Sequence, residues 1–130
     1  MNARSAWILV VDDDAVSRTM LARMLEQEGH RVDEADDGAT GLARAEATHP
    51  DIVLIDIGLP VVDGYEVARR IRSRRGAAPI LVAITGYGQA DDRRRSLEAG
   101  FDAHLTKPVS PDHLADVLSA LTHRRTSLAQ

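Results

Sequence analysis

Short apolar runs alternate with helically spaced apolar positions along the chain. The runs fall at residues 7–11, 31–35, 52–55, 80–84 and 101–105. Those at 7–11, 52–55 and 80–84 are continuously apolar and rich in Val and Ile, the pattern of strands covered on both faces of a parallel sheet. The runs at 31–35 and 101–105 mix polar and apolar positions, as peripheral strands do. Between the runs the period changes to that of a helix. Residues 15–28 space Met20, Leu21, Met24 and Leu25 on one face and stop at Gly29, a C-terminal signal. Residues 38–48 carry Ala39, Leu42, Ala43 and Ala45 and end before Pro50, and residues 64–74 carry Val67, Ala68 and Ile71. Residues 91–99 form a short polar helix ending at Gly100. Residues 111–122 open on Ser110 and Pro111 and repeat Leu114, Val117, Leu118 and Leu121, an amphipathic stripe with an N-cap and a first-turn proline. The remainder, 123–130, reads as a polar tail.

This is five βα units with no repeat, linker or low-complexity tract between them. Right-handed crossovers then place helices on both faces of a parallel sheet, giving a doubly wound α/β sandwich. Its ligands belong at the carboxyl ends of the strands, where the winding reverses. The 130 residues suffice for one domain. With aromatics at 3%, the core is aliphatic.

Composition removes several classes of function. The absence of cysteine excludes disulfide frameworks, thiolate metal sites and cysteine nucleophiles. A net charge of -4 argues against nucleic-acid binding. No apolar run is long enough to span a membrane, and the apolar stretch before the aspartates is too short for a signal peptide, so the expected compartment is the cytoplasm and no membrane contact is expected. Of 16 basic residues only Lys107 is lysine; the rest are arginine. The runs Arg69–Arg75 and Arg93–Arg95 read as solvated helix faces, with a docking surface as the minor alternative.

The polar residues collect where the fold rule puts a site. The first strand ends in Asp12, Asp13 and Asp14; the third ends in Asp56, followed by Ile57, Gly58, Leu59 and Pro60; the fourth ends at Thr85 and the fifth at Thr106, Lys107 and Pro108. Clustered carboxylates raise one another's pKa, and a bound divalent cation removes that cost. Sulfur-free oxygen sites favour Mg²⁺, Mn²⁺ or Ca²⁺, and open positions beside two or three carboxylates suit Mg²⁺. Helix capping explains one aspartate of three in a row, not all of them.

These motifs resemble the receiver domain of two-component response regulators over essentially the whole chain. The matching stretches are Val10-Val11-Asp12-Asp13, Ile55-Asp56-Ile57-Gly58-Leu59-Pro60, Asp63-Gly64-Tyr65-Glu66, Ile84-Thr85-Gly86, and Ala99-Gly100 with Lys107-Pro108-Val109. The resemblance implies a flavodoxin-like sheet of order 2-1-3-4-5, with the receiver spanning residues 1–122. It implies Asp56 as phosphoacceptor, and Mg²⁺ held by Asp12, Asp13, Asp56 and the backbone carbonyl of Gly58. It implies Thr85 as the hydroxyl that meets the phosphoryl group, Lys107 as its ammonium partner ahead of a cis proline, and Thr85 with His104 as the switch pair. The implied partners are a histidine kinase or a histidine phosphotransfer protein, and a second copy through the face of the fourth helix, fifth strand and fifth helix. Such a protein is not an enzyme beyond accepting and losing its own phosphoryl group, unless the chain is one domain of a hybrid kinase.

Other readings fare worse. An aspartate-nucleophile phosphatase needs a second aspartate where Gly58 stands. A receiver-fold interaction module without phosphorylation would have no use for the intact set Asp12, Asp13, Asp56, Thr85 and Lys107. Three positions depart from the family: Gly58, Tyr87, and His104 in place of the usual Tyr or Phe. Strand alternation puts the side chain of His104 opposite those of Phe101, Ala103 and Leu105.

Overall fold

The computed structural model describes residues 5–75, 78–86 and 93–129, so the expectations on Tyr87 and on a helix starting at 91 lie outside the described residues. The elements are β1 (Trp7–Val11), α1 (Ala15–Gln27), β2 (Arg31–Ala35), α2 (Gly38–Thr48), β3 (Ile52–Asp56), α3 (Gly64–Arg75), β4 (Ile80–Thr85), α4 (Arg93–Ala99), β5 (Ala103–Thr106) and α5 (Pro111–Ala129). The strands lie in the order β2-β1-β3-β4-β5, every neighbouring pair parallel. This is the doubly wound, flavodoxin-like sheet expected.

The continuous apolar runs form the middle of that sheet. Ile8 to Val11, Ile52 to Ile55 and Leu81 to Ile84 are wholly inaccessible. Their alternation feeds two cores. Leu9, Val11, Val53, Ile55, Leu81 and Ala83 pack under α2, α3 and Ala99 of α4, while Ile8, Val10, Ile52, Leu54, Val82 and Ile84 pack under α1 and α5. A truncation such as Leu54→Ala in cores of this kind costs about 2–5 kcal/mol.

Polar side chains start the helices. Asp14 Oδ2 accepts from the Ser17 N–H and hydroxyl, Asp37 Oδ1 from Thr40 N–H, Asp63 Oδ1 from Glu66 N–H, and Ser110 Oγ from His113 N–H. Each satisfies an orphan donor of the first turn. The third aspartate of the Asp12–Asp14 run is therefore the helix cap, and the other two are left for other work.

Three expectations are corrected. The last strand begins at Ala103, not at 101. Phe101 sits in the turn before it and packs under α3 against the edge of Tyr65, in the core opposite that of Ala103 and Leu105. The alternation that separates His104 from Ala103 and Leu105 holds, but it does not reach back to Phe101. Helix α5 continues to Ala129 instead of ending at 122, because no Gly or Pro interrupts residues 122–129. Finally, the arginine run of α3 is not uniformly solvated. Arg69, Arg70 and Arg74 lie on the surface and pair with Glu66 and Glu46. Arg72 instead turns inward, donating to the carbonyls of Gly100 at 2.9 Å and Pro79 at 2.6 Å and to Asp102 at 2.7 Å. Asp102 also accepts from Leu81 N–H. This fork ties α3 to the start of β4 and to the turn before β5.

The amino-terminal end of the sheet carries a titratable clamp. Ala6 N–H donates to Nδ1 of His30 at 3.0 Å, and the Ala6 carbonyl accepts from Arg31 N–H. Burial lowers the His30 pKa below its ordinary value, with Glu28 opposing. Only the neutral ring can accept at Nδ1. Because the folded pKa lies below the unfolded one, the unfolded chain binds the proton more readily, and stability rises with pH through that window. It is fully present above about pH 6.5 and declines as pH falls. The melting temperature should drop between about pH 7 and pH 5, and His30→Asn, which keeps an acceptor, should flatten that slope; an unchanged slope would show that the clamp does not titrate.

Candidate functional site

Parallel strands deliver their carboxyl ends to one edge of the sheet, and the order reverses between β1 and β3. Asp12 follows β1, Asp56 closes β3, and Lys107 follows β5. Each continues the alternation of the α1–α5 face, after Val10, Leu54 and Leu105. Their side chains meet there. Lys107 Nζ lies 3.0 Å from Asp12 Oδ2 and 3.4 Å from Asp56 Oδ2. Carboxylate oxygens of Asp12, Asp13 and Asp56 all lie within 4.8 Å of one another.

Burial makes the arrangement costly. Asp12 is 0% exposed and Asp56 is 8% exposed, whereas Asp13 faces solvent. Burial raises the Asp12 pKa above its ordinary value, opposed by the Asp14 N–H that bonds Oδ1 and by Lys107. For the Lys107 ammonium, burial works against the charge, but Asp12 and Asp56 outweigh it and the pKa is raised. Asp56 Oδ1 accepts from Gly58 N–H at 2.9 Å, which leaves Oδ2 facing the ammonium. Asp12 Oδ2 accepts no hydrogen bond, since Lys107 lies at ion-pair distance without hydrogen-bond alignment.

Three carboxylates face one ammonium, an excess of two negative charges. A buried carboxylate oxygen that faces the Lys107 ammonium without an aligned hydrogen bond, hard donors only and an exposed third carboxylate form a donor set that fits a divalent cation such as Mg²⁺.

Thr85 lies beside this cluster, not in it. It is buried, continues the α2–α3–α4 face of Leu81 and Ala83, and its Oγ1 donates towards β5, 3.4 Å from both the Leu105 carbonyl and Thr106 Oγ1. His104 is half-buried and pairs in register with Ala83, so it shares that face with Thr85. The Lys107–Pro108 peptide is cis.

Two residues of the site carried no assigned role in the sequence. Gly64 starts α3 directly over the end of β3; a Cβ there would stand 2.5 Å from the Asp56 carbonyl oxygen and 2.5 Å from Ile57 Cα. Arg18, one turn into α1, donates from Nη1 to the Asp12 carbonyl at 2.8 Å. A single cation four positions after the aspartate run was its only sequence signal.

Fold and site together define a doubly wound receiver unit with an acidic cluster at its strand ends. The sequence profile described as the response regulator receiver domain matches residues 8–119, and the chain belongs to that family, the receiver domains of two-component response regulators. It is similar to the transcriptional regulatory protein TcrA of Mycobacterium tuberculosis, 41% identical over 117 residues that make up 90% of this chain and 46% of TcrA. It is also similar to the sensor histidine kinase RcsC of Escherichia coli, 37% identical over 117 residues, or 90% of this chain and 12% of RcsC. The chain thus spans less than half the length of these curated relatives. A CheY-like response regulator receiver domain protein from Methanospirillum hungatei superposes with a TM-score of 0.84 at 32% identity, covering 95% of this chain and 98% of that one.

Two outcomes follow from the geometry. Without divalent cations, Asp13→Asn should raise the melting temperature by about 2–6 °C, because it relieves repulsion and removes no hydrogen bond seen among the described residues. A melt in chelator with no rise would mean that the three carboxylates are not strained against one another. Gly64→Ala should lower stability by roughly 1–3 kcal/mol in chemical denaturation, since the contacts a methyl meets are backbone. An unchanged midpoint would show that the β3–α3 junction yields freely.

Proposed function

We propose that this chain takes a phosphoryl group onto Asp56 from a histidine kinase or histidine phosphotransfer protein and switches its interaction surface in response. The observation that carries this reading is the convergence of Asp12, Asp13, Asp56 and Lys107 on one small volume. The receiver unit is residues 1–122, and 123–130 follow it, 123–129 as the continuation of α5. Its place is the cytoplasm, and it acts without membrane or nucleic-acid contact of its own.

A carboxylate oxygen of Asp56 attacks phosphorus in line. The P–N bond of the phosphohistidine breaks, an acyl phosphate forms, and the released imidazole takes up a proton. Asp12, Asp13, Asp56 and the Gly58 carbonyl would hold Mg²⁺, which supplies neutralisation of the phosphoryl oxygens when bound. The Gly58 N–H on Oδ1 orients the nucleophile. Lys107 pairs with a phosphoryl oxygen, so its bond to Asp56 is exchanged for one to the new anion. Transfer of this kind depends mostly on positioning and preset charge. Thr85 then turns its hydroxyl from β5 to the phosphoryl group, and His104, on the same face, takes part in the response. The output surface is the α4–β5–α5 face, through which a second copy can pair. The chain's own chemistry is limited to accepting this group and losing it to water. No residue at Gly58 supplies the acid that a phosphatase of the aspartate-nucleophile class requires.

Mass spectrometry after treatment with phosphoramidate or acetyl phosphate and Mg²⁺ tests the reading. Wild type should gain one phosphoryl group. Asp56→Asn should gain none, because an amide cannot form the acyl phosphate. Labelling of Asp56→Asn at the wild-type rate would place the acceptor elsewhere.

A further inference from the structure

We propose that Arg18 is a positioning residue for the acidic cluster, holding the Asp12–Asp13 peptide in the orientation a divalent cation needs. This rests on the phosphoacceptor reading above and deepens it.

The Asp12 backbone is gripped from two sides. Its N–H donates to the Ala35 carbonyl of β2 at 3.1 Å. Its carbonyl accepts from Arg18 Nη1 of α1 at 2.8 Å. The same guanidinium donates from Nε to Glu34 Oε1 of β2 at 3.1 Å. The Arg18 side chain is 18% exposed, folded down against the loop. A peptide group is planar, so holding the Asp12 oxygen fixes the plane that also contains the Asp13 nitrogen. That plane sets the direction in which the Asp13 side chain leaves the loop. Among the described residues no side-chain hydrogen bond holds the Asp13 carboxylate, which is exposed. Its approach to Asp12 and Asp56 is therefore governed by the backbone, which β2 holds at the Asp12 N–H and Arg18 at the Asp12 carbonyl.

Arg18 has two effects of opposite sign on a cation. Its positive charge repels one, and its hydrogen bond orders a ligand for one. The charge is largely compensated by Glu34 in the ion pair, and solvent screens what remains. The Asp14 N–H on Asp12 Oδ1 also braces the loop, but among the described side chains Arg18 is the one that bonds the Asp12 carbonyl. Ordering therefore outweighs repulsion, and loss of the guanidinium should weaken metal binding even though a positive charge is removed. Lysine cannot reproduce the result, because a point charge lacks the fork that reaches a carbonyl and a carboxylate together.

The test is calorimetric titration of the full chain with MgCl₂ at constant ionic strength. Arg18→Ala should bind Mg²⁺ roughly 10-fold more weakly than wild type, the usual effect of removing a partner that orients a ligand. Arg18→Lys, with the charge retained, should also bind more weakly. Amide NMR of the metal-free protein should show the Asp13 resonance displaced or broadened in both variants. A repulsion-only role predicts tighter binding for Arg18→Ala and no change for Arg18→Lys, and that pattern would overturn the proposal. Should Arg18→Ala lose its far-ultraviolet circular dichroism, Arg18→Lys decides the question alone. Wild type that binds no Mg²⁺ would sink the phosphoacceptor reading itself, whereas wild-type affinity retained in both variants sinks only the assignment of Arg18.

Discussion

An excess of buried negative charge at the carboxyl edge of the sheet governs the rest of the molecule. Asp12 is wholly inaccessible, one of its oxygens accepts no hydrogen bond, and the nearest compensation is Lys107. Ion pairs with Asp12 and Asp56 hold the Lys107 ammonium at this edge. One ammonium still leaves one buried carboxylate uncompensated, with the exposed Asp13 carboxylate beside it. That deficit is the charge a divalent cation would offset, and the donor set at this edge fits one.

The scaffold is organised to tolerate this strain. Three central strands form a stiff aliphatic layer, so the ends of β1 and β3 cannot drift apart to relax the repulsion. Gly64 lets α3 begin directly against the end of β3, with no room there for a side chain. The Asp12 peptide is pinned on one side by β2 and on the other by α1. Two arginines that turn inward are anchored on backbone carbonyls, Arg18 on Asp12 and Arg72 on Pro79 and Gly100.

Charge type is divided by task. Arginine outnumbers lysine fifteen to one. The two inward-turned arginines use a planar fork to bridge a carbonyl and a carboxylate at fixed angles. The site between Asp12 and Asp56 instead takes the compact ammonium. A point charge can face two oxygen partners at once without demanding a plane, as Lys107 does with Asp12 and Asp56.

Local pattern determined the sheet. Continuous Val and Ile runs can only be strands covered on both faces, and the helical periods between them force parallel crossovers, so the strand count and the edge carrying the acids were legible. The identities of Asp12, Asp13, Asp56 and Lys107 as neighbours also followed, because strand ends in such a sheet share one edge. What the pattern could not carry is direction and distance. Phe101 broke the expected alternation because the strand starts two residues later, after the turn that Arg72 bonds at Gly100 and Asp102. The inward turn of Arg72 within an otherwise solvated run was invisible, since an arginine's partners there lie 28 and 30 residues away. The third aspartate looked like its neighbours until the helix start claimed it as a cap. Arg18 drew no notice in the sequence, and Gly64 stood in a matching stretch without a role, until the chain folded back. Their roles are contacts with backbone atoms, and backbone atoms leave no trace in residue type. Composition and period decide which groups share an edge, while only the tertiary structure decides which of them touch.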